Sequence, residues 1–312
     1  MNPLALLRAM RPHQWVKNVF VFAALLFARG ERDQGLFAGD LSDVRHTLFA
    51  FAAFCLGSSS IYLINDIMDV ESDRAHPEKC RRPIASGELK IPVAWAAALG
   101  LVASALLLGR LADGAPEPEG RLIEGLSVAA VVGTYMTLNF FYSVKLKHVV
   151  IVDAFCIASG FLLRVYGGGL AAGAIVSHWL FLCTLFLALF LALCKRRAEI
   201  DLLGEGRGEH RAILMEYTPG FIDQMVTVLA ACTILTYTMY TVADDTVAKF
   251  GDSRLIWTVP FVVFGLARYM LLVQTQKGGG SPTRVLLGGD ALFVANALGW
   301  LATVGLVVFG WG

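Results

Sequence analysis

Nine long apolar runs, separated by short polar and charged segments, dominate this sequence and restrict what it can fold into. Lipid offers no partner for free backbone N–H and C=O groups, so a run of about 20 apolar residues crosses a bilayer as a helix. The predicted spans are Trp15 to Ala28, Thr47 to Ile64, Ile91 to Leu111, Leu122 to Tyr142, Val149 to Tyr166, Trp179 to Cys194, Phe221 to Val242, Leu255 to Val273, and Ala291 to Trp311. The first has the shortest purely apolar part and contains Lys17, whose ammonium group must snorkel back to the interface. Composition agrees, with 56% hydrophobic and 16% charged residues and a mean hydropathy of +0.63. A water-exposed fold cannot hide that much apolar surface, and neither a disordered nor a collagen-like chain has this make-up. The expected fold class is all-α: a polytopic membrane helical bundle of nine transmembrane helices. No repeat or long linker divides it, so residues 1–312 are read as a single transmembrane domain.

Charge adds sidedness. The formal net charge is +1, so no overall field draws nucleic acid to the protein. Most lysines and arginines fall in alternate inter-span segments, on the side that also carries the N-terminus. The positive-inside rule then places the N-terminus in the cytoplasm and the C-terminus outside. No small-residue cleavage site follows the first apolar stretch, so that stretch is read as retained. The six cysteines lie mainly within apolar runs and show neither disulfide nor zinc spacing.

The candidate chemistry concentrates on the cytoplasmic side. The second span ends in Asn65-Asp66-Ile67-Met68-Asp69, followed by Asp73. If the helix continues, Asp66, Asp69 and Asp73 share one face at i, i+3 and i+7. Carboxylates held so close repel unless a cation lies between them. Mg²⁺ suits the position, because it takes hard oxygen ligands and is commonly completed by substrate phosphate. A solvated acidic helix end is the plainer reading. The basic residues that follow, Arg74, Lys79, Arg81 and Arg82, tip the balance toward metal, since a cation cluster beside a metal suits a departing diphosphate.

Three more segments present phosphate-type ligands on that side: Lys17, Tyr142 with Lys147, and Lys195 with Arg196 and Glu199. Asp153 lies one turn inside the predicted fifth span, where a carboxylate needs either a partner or a function. An ion pair with Lys147 is its plain structural explanation. Arg164 and Arg268 lie deeper: Arg164 either lines the cavity or snorkels outward toward Gly167, Gly168 and Gly169, and Arg268 has no partner evident from sequence. Transporters place their ionisable groups near the midplane on interrupted helices, and only these two residues do so here. Gly167, Gly168 and Gly169 lack the strand context of a dinucleotide loop and are read as helix packing or a helix end.

Taken together, the motifs resemble the UbiA superfamily of intramembrane prenyltransferases over nearly the whole chain. Within it, RPHQWVKN at 11–18, NDIMDVESDRAHPEKCRRPIASG at 65–87, YSVKLKH at 142–148 and KRRAE at 195–199 are similar to the branch that transfers phosphoribose to decaprenyl phosphate. The resemblance implies a UbiA-type fold in a bacterial inner (plasma) membrane. It also implies Mg²⁺ as cofactor, and phosphoribosyl pyrophosphate (PRPP) and a polyprenyl phosphate as substrates, the product feeding cell-wall arabinan synthesis in actinobacteria. A homo-oligomer is compatible with it.

Carried over position by position, Asp66, Asp69 and Asp73 would hold the metal, with Lys147 catalytic beside them. Lys17, Asn65, Arg74, Lys79, Arg81, Arg82, Tyr142, Asp153, Lys195, Arg196 and Glu199 would bind substrate. Arg197 stands where that branch has a tyrosine. Members that prenylate aromatic acceptors carry a second aspartate-rich motif after the sixth span, whereas this stretch begins Lys195-Arg196-Arg197. A donor with an extra phosphate favours such cations. The competing expectation is prenyl transfer from a prenyl diphosphate to an aromatic acceptor.

Overall fold

The computed structural model describes residues 3–27, 41–113, 125–203, 212–275 and 290–309, and among them every regular element is helical. The chain begins with α1 (Pro3–Met10), an eleven-residue 3-10 helix (Pro12–Phe22) and α2 (Ala23–Phe27). Then follow α3 (Leu41–Met68), α4 (Val70–Ala75), α5 (Ile91–Leu111), α6 (Val128–Val144) and α7 (Val152–Ala171). The remainder is α8 (His178–Leu203), α9 (Pro219–Val242), α10 (Asp244–Phe250), α11 (Val259–Thr275) and α12 (Ala291–Phe309).

Six helical stretches are long and apolar enough to cross a membrane, and α6 and α12 are shorter apolar helices. The expected first span is instead the 3-10 helix followed by α2. Proline fixes φ without needing a donor, which makes it a good helix opener, and Pro12, Pro92 and Pro219 each sit at such a start. The predicted span ends at Ala28, at 122–124 and at Trp311 fall outside the described residues.

Two compact units are present. The first gathers residues 3–27, 41–113, 125–144 and 163–176. Its core joins Val21, Ala50, Ala53, Phe54, Val128, Val131, Val132 and Tyr135, with the Phe54 and Tyr135 rings edge to face at 5.3 Å. Small residues bring backbones close. A Cβ built at Gly168 would overlap the Val21 carbonyl oxygen. The three glycines therefore serve packing, since α7 continues past them to Ala171. Gly168→Ala is expected to destabilise the protein by about 1–3 kcal/mol or more through overpacking, read as a lower midpoint of thermal unfolding in detergent; an unchanged midpoint would contradict this close approach.

The second unit gathers 145–162, 177–203, 212–275 and 290–309. Its core includes Phe190, Ile213, Leu214, Tyr217, Ile222 and Tyr269. Arg268, left without a partner by the sequence, donates from Nη2 to Asp290 Oδ2 at 2.7 Å and from Nε to Oδ1 at 3.2 Å. Asp290 also caps α12 by accepting the Phe293 N–H at 2.8 Å. Arg268 is thus a tie between α11 and the start of α12.

Candidate active site

In the first unit, α3 has 28 residues and so rises about 42 Å, enough to clear a hydrocarbon core of about 30 Å with turns to spare. Asn65 and Asp66 lie in its last turn. The 3-10 helix is fastened to the same helix. Ser59 Oγ donates to the Met10 carbonyl at 3.0 Å and accepts from Trp15 Nε1 at 3.0 Å, while Asn18 Nδ2 reaches Cys55 Sγ at 3.2 Å. This docking carries Arg11 over the end of α3. Its guanidinium lies 4.9 Å from the centroid of the Tyr62 ring, and its Nη2 donates to Asp66 Oδ1 at 2.6 Å.

Arg11 itself is strained. It takes φ 55 and ψ 59, the left-handed region, immediately before Pro12, whose ring disfavours the ordinary helical alternative. Such a conformation costs about 1–3 kcal/mol and persists only where the surroundings impose it.

Arg82 completes the cluster. Its Nη1 donates to Asp66 Oδ1 at 3.1 Å and to Asp73 Oδ2 at 2.7 Å. Both carboxylates are buried, at 1% and 2% residue exposure. The negative end of the α3 dipole adds to the cost of burying Asp66, and the two guanidiniums offset it. The helix is interrupted where the sequence predicts continuity: Asp69, at φ −91 and ψ 8, separates α3 from α4 and stands half-buried, although the Asp69 and Asp73 N–H groups still donate to the Asn65 and Asp69 carbonyls at 2.9 and 2.8 Å.

Among the described residues, no three His, Cys, Asp or Glu side chains converge into a ready metal group. The donor set nevertheless suits a hard divalent cation. Asn65 Oδ1 is buried with no hydrogen-bond partner, next in sequence to the buried Asp66, and all these donors are oxygens.

The second unit holds a separate cluster. Asp153 sits in the first turn of α7, where the helix dipole favours a carboxylate, and is fully buried. Its Oδ2 accepts from Arg196 Nε at 2.8 Å and its Oδ1 from the Tyr217 hydroxyl at 2.8 Å. Arg196, 1% exposed, also donates from Nη1 to Glu199 Oε2 at 2.5 Å, and Lys195 stands 3.7 Å from Glu199. The Tyr217 hydroxyl accepts the Ile151 N–H at 2.7 Å. Burial, and then its donation to Asp153, holds that hydroxyl well above its ordinary pKa, so it stays protonated. Ile151 has φ 69, an outlier for a β-branched residue, at the turn that delivers Asp153.

Of the residues expected from sequence, the structure brings Asp66, Asp73 and Arg82 together in one unit and Asp153, Lys195, Arg196 and Glu199 in the other. Asp153 is paired with Arg196, where the plain reading had Lys147. Arg74 donates to the Ala85 carbonyl at 3.2 Å, and Lys79 and Arg81 lie exposed on a 3-10 turn. Lys17, Tyr142 and Lys147 are half-buried. Arg197 binds Asp201 and Asp223. The Gly204 to Arg211 part of the cationic stretch lies outside the described residues.

Arg164, deep in α7, is buried in the first unit. It donates to Asn18 Oδ1 at 2.7 Å and to the Tyr135 hydroxyl at 2.8 Å. Sequence reasoning missed Arg11 and Tyr217 as site residues. Arg11 lay within a quoted motif, whereas nothing local marked Tyr217.

Fold and clusters together describe a polytopic helical membrane protein that gathers buried carboxylates and guanidiniums at its helix ends. The chain belongs to the UbiA prenyltransferase family, whose profile matches residues 19–297. It is 35% identical over 306 residues to the decaprenyl-phosphate phosphoribosyltransferase of Corynebacterium glutamicum, covering 97% of this chain and 86% of that one. It is 32% identical over 309 residues to the protein of that name from Mycolicibacterium smegmatis, covering 97% and 92%. A UbiA homolog from Archaeoglobus fulgidus, solved bound to GPP and Mg²⁺, shares the fold. Its TM-score is 0.68 at 16% identity, over 97% of this chain and 99% of that one.

Proposed function

We propose that this protein transfers 5-phosphoribose from PRPP to a polyprenyl phosphate, releasing pyrophosphate. The observation that carries the reading is the near-full-length identity with decaprenyl-phosphate phosphoribosyltransferases. The cationic run at the end of α8, in place of a second aspartate-rich motif, supports it independently. We treat residues 1–312 as one membrane domain, since α7 contributes residues to both units. In this reading the protein lies in a bacterial plasma membrane, with its N-terminus and active site cytoplasmic and its C-terminus outside.

Asp66, Asp73 and Asn65, with Asp69 nearby, would hold Mg²⁺ in this reading. When bound, the ion neutralises charge on the departing pyrophosphate. The rest falls to the chain's own residues. Arg82, with Arg74, Lys79 and Arg81 around it, supplies cations for the diphosphate, while Lys17, Tyr142 and Lys147 contribute from other helices.

Lys195, exposed and paired with Glu199, would bind the 5-phosphate in this reading, and Arg196 is held by its bonds to Asp153 and Glu199. The acceptor phosphate is already anionic near neutral pH, so no general base is required. The site's work is to bring two anions together and to keep water from the anomeric carbon.

Membranes supplied with labelled PRPP and polyprenyl phosphate should form a labelled lipid, and EDTA should stop it. Label entering an aromatic acceptor from a prenyl diphosphate, with none from PRPP, would replace this reading with ordinary prenyl transfer. Lys195→Ala is expected to raise KM for PRPP about tenfold with little change for the lipid. A defect confined to the lipid would mean that this cation is wrongly assigned.

A further inference from the structure

We propose that Arg11 is a mobile counter-cation. It neutralises Asp66 while the site is free of diphosphate, and it passes to a diphosphate oxygen when magnesium diphosphate binds. This deepens the reading above and rests on it.

Charge balance comes first. The buried carboxylates Asp66 and Asp73, with half-buried Asp69 close enough to act on Asp66, face two guanidiniums, Arg11 and Arg82, so the corner carries one negative charge as it stands. A divalent cation entering alone would leave an excess of one positive charge in a partly buried place. It would also compete with Arg11 for Asp66 Oδ1, which already accepts both guanidiniums at 2.6 and 3.1 Å. A diphosphate arriving with the cation supplies the missing negative charge and a new partner for the displaced arginine.

Arg11 is the cation of the pair suited to move. Arg82 bridges both carboxylates, whereas Arg11 holds only Asp66. Its side chain is 26% exposed and that of Arg82 is 28%, so both guanidiniums are reachable and it is the single carboxylate contact that sets Arg11 apart. Its backbone is left-handed and its guanidinium lies over the Tyr62 face, so it is poised and not buried. The prediction is synergy: divalent cation and diphosphate bind better together than either does alone.

The test uses the purified full chain in detergent, with Mn²⁺ binding read by electron paramagnetic resonance and inorganic pyrophosphate as the anion. Wild type should bind Mn²⁺ weakly alone and about tenfold more tightly with pyrophosphate. Arg11→Met, which keeps apolar packing on Tyr62, should bind Mn²⁺ alone about tenfold more tightly and lose most of the pyrophosphate gain. Arg11→Lys keeps the charge and should behave as wild type, which guards against a folding defect in the methionine variant.

Mn²⁺ binding in Arg11→Met that is no tighter than wild type, or tight binding in Arg11→Lys, would overturn the inference. Asp66→Asn separates the two levels. If it loses Mn²⁺ while Arg11→Met gains nothing, the counter-cation role alone is wrong. If it binds Mn²⁺ like wild type, the metal reading falls as well.

Discussion

Asp66→Asn is expected to reduce phosphoribosyl transfer by at least about 100-fold while leaving the protein folded. Asparagine matches aspartate in shape and can still accept hydrogen bonds from Arg11 and Arg82, so the local geometry survives. It cannot supply the charge. Removing one preorganised electrostatic group from a site that stabilises a departing anion costs about 10²–10³ in rate. Label transfer from PRPP measures the activity, and a monodisperse peak with unchanged thermal midpoint reports the fold. Turnover within threefold of wild type would rule out a metal-holding role for this carboxylate.

Arg196→Ala is expected to have the largest effect on stability. The pair it forms with Asp153 is buried on both sides, and truncation leaves a carboxylate at 0% exposure with only the Tyr217 hydroxyl for company. Breaking such a pair costs about 3–5 kcal/mol, a large share of a domain's margin, so little folded protein should be recovered. Arg197→Ala is the internal comparison. That side chain pairs with Asp201 and Asp223, which are 39% and 41% exposed, and its loss should cost about 0–1 kcal/mol. Near-equal thermal midpoints for the two variants would show that Arg196 is not the anchor described.

Six of the nine predicted spans coincide with helices long and apolar enough to cross a membrane, and they were legible because a bilayer demands long apolar runs. What the sequence hid were local departures within those runs. Pro12–Phe22 carries His13, Gln14, Lys17 and Asn18 among its apolar residues, and nothing in that pattern separates a 3-10 helix from an α-helix. The interruption at Asp69 was likewise invisible, because the i, i+3, i+7 spacing of the aspartates suits an unbroken helix just as well.

At the site, local motifs pointed to the carboxylates but not to their partners. Arg11 lies 55 residues from Asp66, and Tyr217 lies 64 from Asp153. No short-range periodicity links positions so far apart; only tertiary packing brings them together. Arg268 found Asp290 across 22 residues for the same reason.

The tight winding of Pro12–Phe22 also changes how the weakest of the nine runs should be measured. A 3-10 helix advances about 2.0 Å per residue against about 1.5 Å for an α-helix, so this segment with α2 reaches about 30 Å from end to end. That matches the thickness of a typical hydrocarbon slab. A stretch that looks too brief when its letters are counted thus has the reach of one several residues longer, and a hydropathy window tuned to α-helical pitch will undercount it.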